Sequence, residues 1–200
     1  MSQVRRAAAL ALLLSAACSG RSAPTPDDPA PRAPDLTGRR VMLLPAQALP
    51  GSVTSTAEEA VPGLDGEIAY WLGERVPRAQ WVFPPELDRA LARSPSLDIQ
   101  IRGLAVAAFY RGEVKNIGDP LFGDLRRLGA LVDARYALVP VGAGEFEVEG
   151  GRRVELRVAL IDTLGGSVLW YGAIAGAAGP AGDAALPASA AQALAAALVQ

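Results

Sequence analysis

The sequence predicts an α/β fold: a single α/β sandwich with a mixed sheet of about five strands, ending in an antiparallel meander and a C-terminal helix. Three observations predict it. Val154, Leu156, Val158 and Leu160 alternate with Arg153, Glu155, Arg157 and Ala159, the period-2 pattern of a strand with one buried face. Asp162-Thr163-Leu164-Gly165-Gly166 supplies a turn, and Val168-Leu169-Trp170-Tyr171 returns as a second strand. Apolar residues at helical spacing occur both before and after this hairpin, so helices are available to cover a sheet this apolar.

Taken in order, Val41-Met42-Leu43-Leu44 is a continuous apolar run closed by Pro45, as suits a central strand covered on both faces. Residues 46–62 read as a loop. Leu64, Ile68, Trp71 and Leu72 fall at i, i+4, i+7 and i+8, which predicts an amphipathic helix over 63–76. Residues 80–83 form a short strand, ended by Pro84-Pro85. Pro85 suits a first helical position, and Pro95 stops the helix that carries Leu87 and Leu91. Asp98 is placed to cap a further helix through Ile101, Leu104, Ala105, Ala108 and Phe109. After a loop over 112–119, Asp119-Pro120 opens a helix with the buried stripe Leu121, Leu125, Leu128 and Val132. Residues 136–141 are a strand, which Phe146 and Val148 either continue or follow as a separate one. The hairpin comes next, and the Ala-rich segment 183–200, with Leu186, Leu194 and Leu198, closes the chain as a helix.

Ahead of this domain the chain changes character. Residues 1–17 read as a secretion signal: Arg5 and Arg6, then an apolar run from Ala7 to Leu14 too short to span a bilayer, then Ser15-Ala16-Ala17 before Cys18. Leu14-Ser15-Ala16-Ala17-Cys18 resembles the lipobox of bacterial lipoproteins, with Ser15 where leucine is commonest. That resemblance implies cleavage before Cys18 and acylation of its sulfur and amine, giving a firm attachment to a lipid bilayer through several chains. Cleavage would take the formal net charge from −2 to −4, because Arg5 and Arg6 leave and no acid does. Ser19, in place of aspartate, favours the outer membrane under the familiar sorting rule. Residues 18–36 hold Pro24, Pro26, Pro29, Pro31 and Pro34 and read as an extended tether, leaving 37–200 as the α/β domain.

Composition excludes several functions. Half the residues are hydrophobic and the chain has no basic surplus for nucleic acid. It has no histidine, which removes Ser-His-Asp and Cys-His catalysis and the usual zinc sites. Cys18 is the sole cysteine, so no intrachain disulfide forms. Arginine supplies every basic residue but Lys115, which reads as coding bias and not as a phosphate-binding device. No glycine-rich dinucleotide fingerprint, phosphate loop or GxSxG element is present, and no cofactor is implied.

Four segments together carry a further resemblance: 41–45, the step Trp81-Val82-Phe83-Pro84-Pro85-Glu86-Leu87, the run 128–139 (LGALVDARYALV), and the hairpin 160–170 (LIDTLGGSVLW). Over residues 40 to 199 they are similar to a group of envelope lipoproteins and periplasmic domains. The group includes the TolB amino-terminal domain, the curli-secretion assembly lipoproteins and the penicillin-binding-protein activator lipoproteins. The resemblance implies an envelope protein partner and a partner, pore or activator role in place of catalysis. A pore is disfavoured, because the chain has no room for long transmembrane insertions.

Candidate contact residues are Gln47, Ser52 and Thr54 in the 46–62 loop, which follows the first strand's carboxyl end, and Trp170 and Tyr171, which take opposite faces of one strand. An irregular surface loop and two covered aromatics are the plainer readings. Trp71 and Trp81 read as core. Asp162 is expected to bond turn amides and not to act as a catalytic acid. Glu145, Glu147 and Glu149 read as a solvated strand face in preference to a cation site. The sequence therefore points to a non-enzymatic, lipid-anchored adaptor, assembly factor or activator on the periplasmic face of the outer membrane. A peptidoglycan- or glycan-binding module is the alternative. A carboxylate hydrolase using Glu86, Asp88 or Glu113 is a distant third.

Overall fold

The structure, a computed structural model, describes residues 32–52, 61–112 and 114–199. Cys18, Thr54 and Glu113 lie outside the described residues. The chain runs β1 (Arg40–Leu43), α1 (Leu64–Arg75), β2 (Gln80–Val82), α2 (Pro84–Ala92), a 3₁₀ turn (Ala107–Tyr110), α3 (Leu121–Val132), β3 (Tyr136–Val148), β4 (Gly151–Asp162), β5 (Val168–Ala175) and α4 (Ala185–Leu198). The five strands form one mixed sheet in the order β2-β1-β3-β4-β5. β1 pairs in parallel with β2 and β3, while β3, β4 and β5 form the antiparallel meander.

The sheet separates two apolar layers. On one side α1 and α4 cover Val41, Leu43, Leu138 and the β4 row Val154, Leu156, Val158 and Leu160. On the other, α2, α3 and the segment through Phe109 cover Met42, Leu44, Val139, Val141 and Ile161. β1 accordingly buries three successive residues, as its unbroken apolar run requires. Leu121, Leu125 and Leu128 form the buried stripe of α3, and Val132 at its end is half-buried.

Four features differ from the sequence reading. Ala33 and Leu36 are buried in the α1/α4 layer, so the folded unit begins ahead of residue 37. Residues 98–109 do not form the helix that their spacing predicts. They run as turns into the 3₁₀ segment, because the amide of Leu104 and the carbonyl of Ile101 are bonded to the Gln47 side chain instead of to a helical ladder. The 46–62 loop is irregular only in part. The amides of Gln47 and Leu49 bond the carbonyls of Pro140 and Ala143, and Ala48 bridges Ala143, so the chain after Pro45 runs on beside β3.

The fourth difference lies within β3: Phe146 and Val148 do continue the strand, to 13 residues, but a bulge falls at Val141, between the pairs Pro140–Val158 and Gly142–Arg157. The extra residue moves the following side chains across the sheet: Val139 and Val141 face the α2/α3 layer, but Ala143 joins the α1/α4 layer. It also leaves Glu145 buried and Phe146 half-buried.

Candidate functional site

Open α/β sheets usually bind ligands beyond the carboxyl ends of their strands. Here that end is filled by the chain itself. Gln47, a candidate polar contact, is buried, and its amide is bonded at both its nitrogen and its oxygen. Nε2 donates to the carbonyls of Pro45 and Ile101, each at 2.9 Å, and Oε1 accepts from the Leu104 amide at 3.1 Å. Tyr110 Oη donates to Val141 O at 2.6 Å and lies 3.1 Å from Ala48 O. Burial, with Tyr171 adding to it and Arg157 opposing, pushes the Tyr110 phenol up to about 12. Ser52 Oγ donates to Leu49 O at 2.9 Å and closes its own turn.

Loop and strand meet without clearance. A Cβ on Gly142 would stand 2.7 Å from Leu49 Cδ1, and one on Gly144 would collide with Ser52 Cβ. Glycine at these two places lets the 47–52 segment lie flat on β3.

Trp170 and Tyr171 do take opposite faces of β5, Trp170 in the α1/α4 layer and Tyr171 against Phe109. Both are covered, at 4% and 8% exposure, and Tyr171 Oη donates to Phe109 O. Neither presents a stacking face, because helices close both sides of the sheet. Gln47, Trp170 and Tyr171 are thus all buried, as the plainer reading of the two aromatics has it. Trp71 and Trp81 are half-buried rather than fully enclosed. Trp71 lies under the Arg75 guanidinium at 5.0 Å, and Trp81 Nε1 donates to Val76 O.

Two of the three glutamates in the row, Glu145 and Glu147, are engaged with arginine. Arg152 lies 3.5 Å from Glu145 and 3.6 Å from Glu147. Arg153 pairs with Glu155 and Arg102 with Asp65. Among the described residues no group of histidine, cysteine or acid side chains is arranged to hold a metal ion.

At the opposite end of the sheet β1, β2 and β3 begin. α1, α2 and α4 all finish there, and two hollows lie between their ends. One, of about 390 Å³, is lined by Arg40, Arg89, Arg93, Glu86 and Asp133 with apolar residues of α2 and α3. The other, of about 370 Å³, lies between residues 35–37, residues 75–78 and the end of α4 at Leu198 and Val199. Arg39, Arg40, Arg75, Arg78, Arg93 and Arg135 are all exposed at this end.

The β4–β5 turn at the same end is built as its residues predict. Asp162 Oδ1 accepts the Leu164 amide, and Oδ2 accepts two bonds from Arg135 at 2.8 and 3.1 Å. Partial burial works to raise the Asp162 carboxyl, but the Arg135 bond and the Leu164 and Gly165 amides outweigh it and hold the group below its ordinary value. Thr163 Oγ1 donates to the carbonyl of Arg135, fastening the turn to the start of β3. Gly129 of α3 packs so closely there that a Cβ would stand 2.6 Å from Ala134 O and 2.8 Å from Thr163 Oγ1.

Sequence reasoning treated the arginines as coding bias and missed this cluster. The signal was present, since Arg75, Arg78, Arg89 and Arg93 recur at or just past the ends of the first two helical patterns.

No protein-family model and no curated protein matches the chain. Among solved structures it is similar to the LpoB C-terminal domain from Salmonella enterica, at 12% identity and a TM-score of 0.43, over 72% of this chain and 86% of that one. It is also similar to a substituted PelC, solved as a dodecamer from Paraburkholderia phytofirmans, at 15% identity and a TM-score of 0.42, over 86% and 96% of the two chains. A second PelC dodecamer from the same organism gives 15% identity and a TM-score of 0.40 over the same shares. Overlap this weak bears on neither partner nor activity.

Proposed function

We propose that the chain is a lipid-anchored lipoprotein of the cell envelope that acts without catalysis, as an adaptor, assembly factor or activator for another envelope protein. The observation that carries this reading is Leu14-Ser15-Ala16-Ala17-Cys18. An apolar run too short to span a bilayer ends in small residues and then in the sole cysteine of the chain. Cys18 is the lipidation site, and the periplasmic face of the outer membrane is the proposed location, since Ser19 stands where aspartate would retain a lipoprotein at the inner membrane. No helix among the described residues is long and apolar enough to cross a membrane.

The sheet order supports a protein partner, because β2 and β5 are edge strands and an extended segment of a partner adds to such an edge. On β5 the register slips between Leu160–Trp170 and Ile161–Val168, and Leu169, the residue skipped, is exposed.

In-cell crosslinking and co-purification of the tagged chain, wild type beside Cys18→Ser, test the proposal. The expected result is one envelope protein recovered in near-equal amount with the wild type and lost with Cys18→Ser, together with acyl-modified Cys18 by mass spectrometry. Recovery of no protein with either form would overturn the adaptor reading, and an unmodified Cys18 would overturn the anchor.

A further inference from the structure

The arginine-bearing end of the domain is also the end at which the proposed tether joins it. Residues 32–39 lead directly into β1, and the Gly38 amide donates to Arg78 O, fixing this entry between β1 and the end of α1. Charge is distributed unequally between the two ends of the sheet. Toward the carboxyl ends of the strands, Arg102, Arg152 and Arg153 are each matched by an acid. Around the entry of the tether, Arg39, Arg78 and Arg93 are exposed and make no ion pair among the described residues.

Exposed apolar side chains accompany them. Of the large hydrophobic residues most open to solvent, Leu164 (62%) is in the β4–β5 turn and Val199 (49%) follows α4, both at this same end. Exposed cations and projecting apolar side chains thus share this end with the acids Asp35, Glu86 and Asp133, and cations beside apolar tips suit the boundary between lipid headgroups and acyl chains.

We propose that this end of the domain docks on an anionic lipid surface, with the arginines contacting headgroup phosphates and Leu164 reaching the acyl boundary. The proposal rests on the anchored reading for its cellular setting, because a lipid on Cys18 would hold this end nearest the bilayer. The docked domain would turn the carboxyl end of the sheet and the β3–β4 hairpin away from the membrane. A partner would then meet the molecule in one orientation.

The test uses the unacylated chain from Ser19 onward, which contains every residue of both apolar layers, Ala33 to Leu198. Its binding is measured by flotation with vesicles of phosphatidylcholine alone and of phosphatidylcholine mixed with phosphatidylglycerol. Binding to the mixed vesicles alone, weakening steeply with salt, is expected. Reversing Arg39→Glu, Arg78→Glu and Arg93→Glu together should reduce it by about a hundredfold, at about a factor of five per arginine lost near such a surface. The matched triple at the other end of the sheet, Arg102→Glu, Arg153→Glu and Arg111→Glu, the last being an exposed residue just after the 3₁₀ turn, should bind as the unchanged chain does, with circular dichroism confirming that both triples fold. Equal binding to both vesicle types, binding to neither, or equal loss in the two triples would overturn the proposal. Because the assayed chain carries no lipid, these outcomes are independent of whether Cys18 is acylated in cells.

Discussion

The two ends of the sheet are built on opposite plans. At the carboxyl end, the site favoured in open α/β sheets is occupied by the protein's own 47–52 segment. The Gln47 side chain bonds the carbonyls of Pro45 and Ile101 there, Tyr110 bonds Val141 O, and Arg102, Arg152 and Arg153 are matched by acids. At the amino end the helices stop short of one another, two hollows remain, and Arg39, Arg78 and Arg93 make no ion pair among the described residues. The difference teaches that the location of a crevice is not inherited from the fold class. A segment that closes one end by hydrogen bonding leaves the other end to meet the surroundings.

Three substitutions sharpen this contrast, in decreasing order of effect. Gln47→Ala removes an amide that satisfies two carbonyls and one amide, and leaves them buried. It should cost about 3–5 kcal/mol in chemical denaturation, from about 1–3 kcal/mol per stranded buried group. A loss under about 1 kcal/mol would mean that the carboxyl end is not held by this side chain.

Tyr110→Phe should cost about 1–2 kcal/mol, since it deletes the bond to Val141 O and the polar contact with Ala48 O. Its second signature is in alkali. The folded phenol keeps its proton up to about 12 while the unfolded one releases it near 10.0, so its contribution is complete below pH 10 and fades as pH rises toward 12. The variant should lose that part of the alkaline decline, read from melting temperature against pH.

Asp162→Asn, at the open end, should have the smallest effect, below about 1 kcal/mol, because its Arg135 partner is largely solvated. The Asp162 carboxyl is held below its ordinary 3.8, so its contribution is present above that pH and lost as pH falls below it. The variant should show a shallower acid limb. A cost near that of Gln47→Ala would erase the distinction between a bonded end and an open one.

Features that depend on neighbours along the chain were legible in the residues alone. The β4 alternation Val154 to Leu160, the α3 stripe Leu121, Leu125 and Leu128, and the Asp162 turn all read correctly, because strand and helix periods and turn chemistry are local. The same local rules failed over residues 98–109, where helical spacing yielded to a side chain from 54 residues earlier, Gln47 bonding Ile101 O. Long-range packing set the rest: Gln47 is consumed inside, and a bulge at Val141 leaves Glu145 buried. It also decided that arginines distant in sequence would share one end. Parallel strands joined by returning helices bring strand starts and helix ends together at one edge of the sheet, and no short window of sequence contains that geometry.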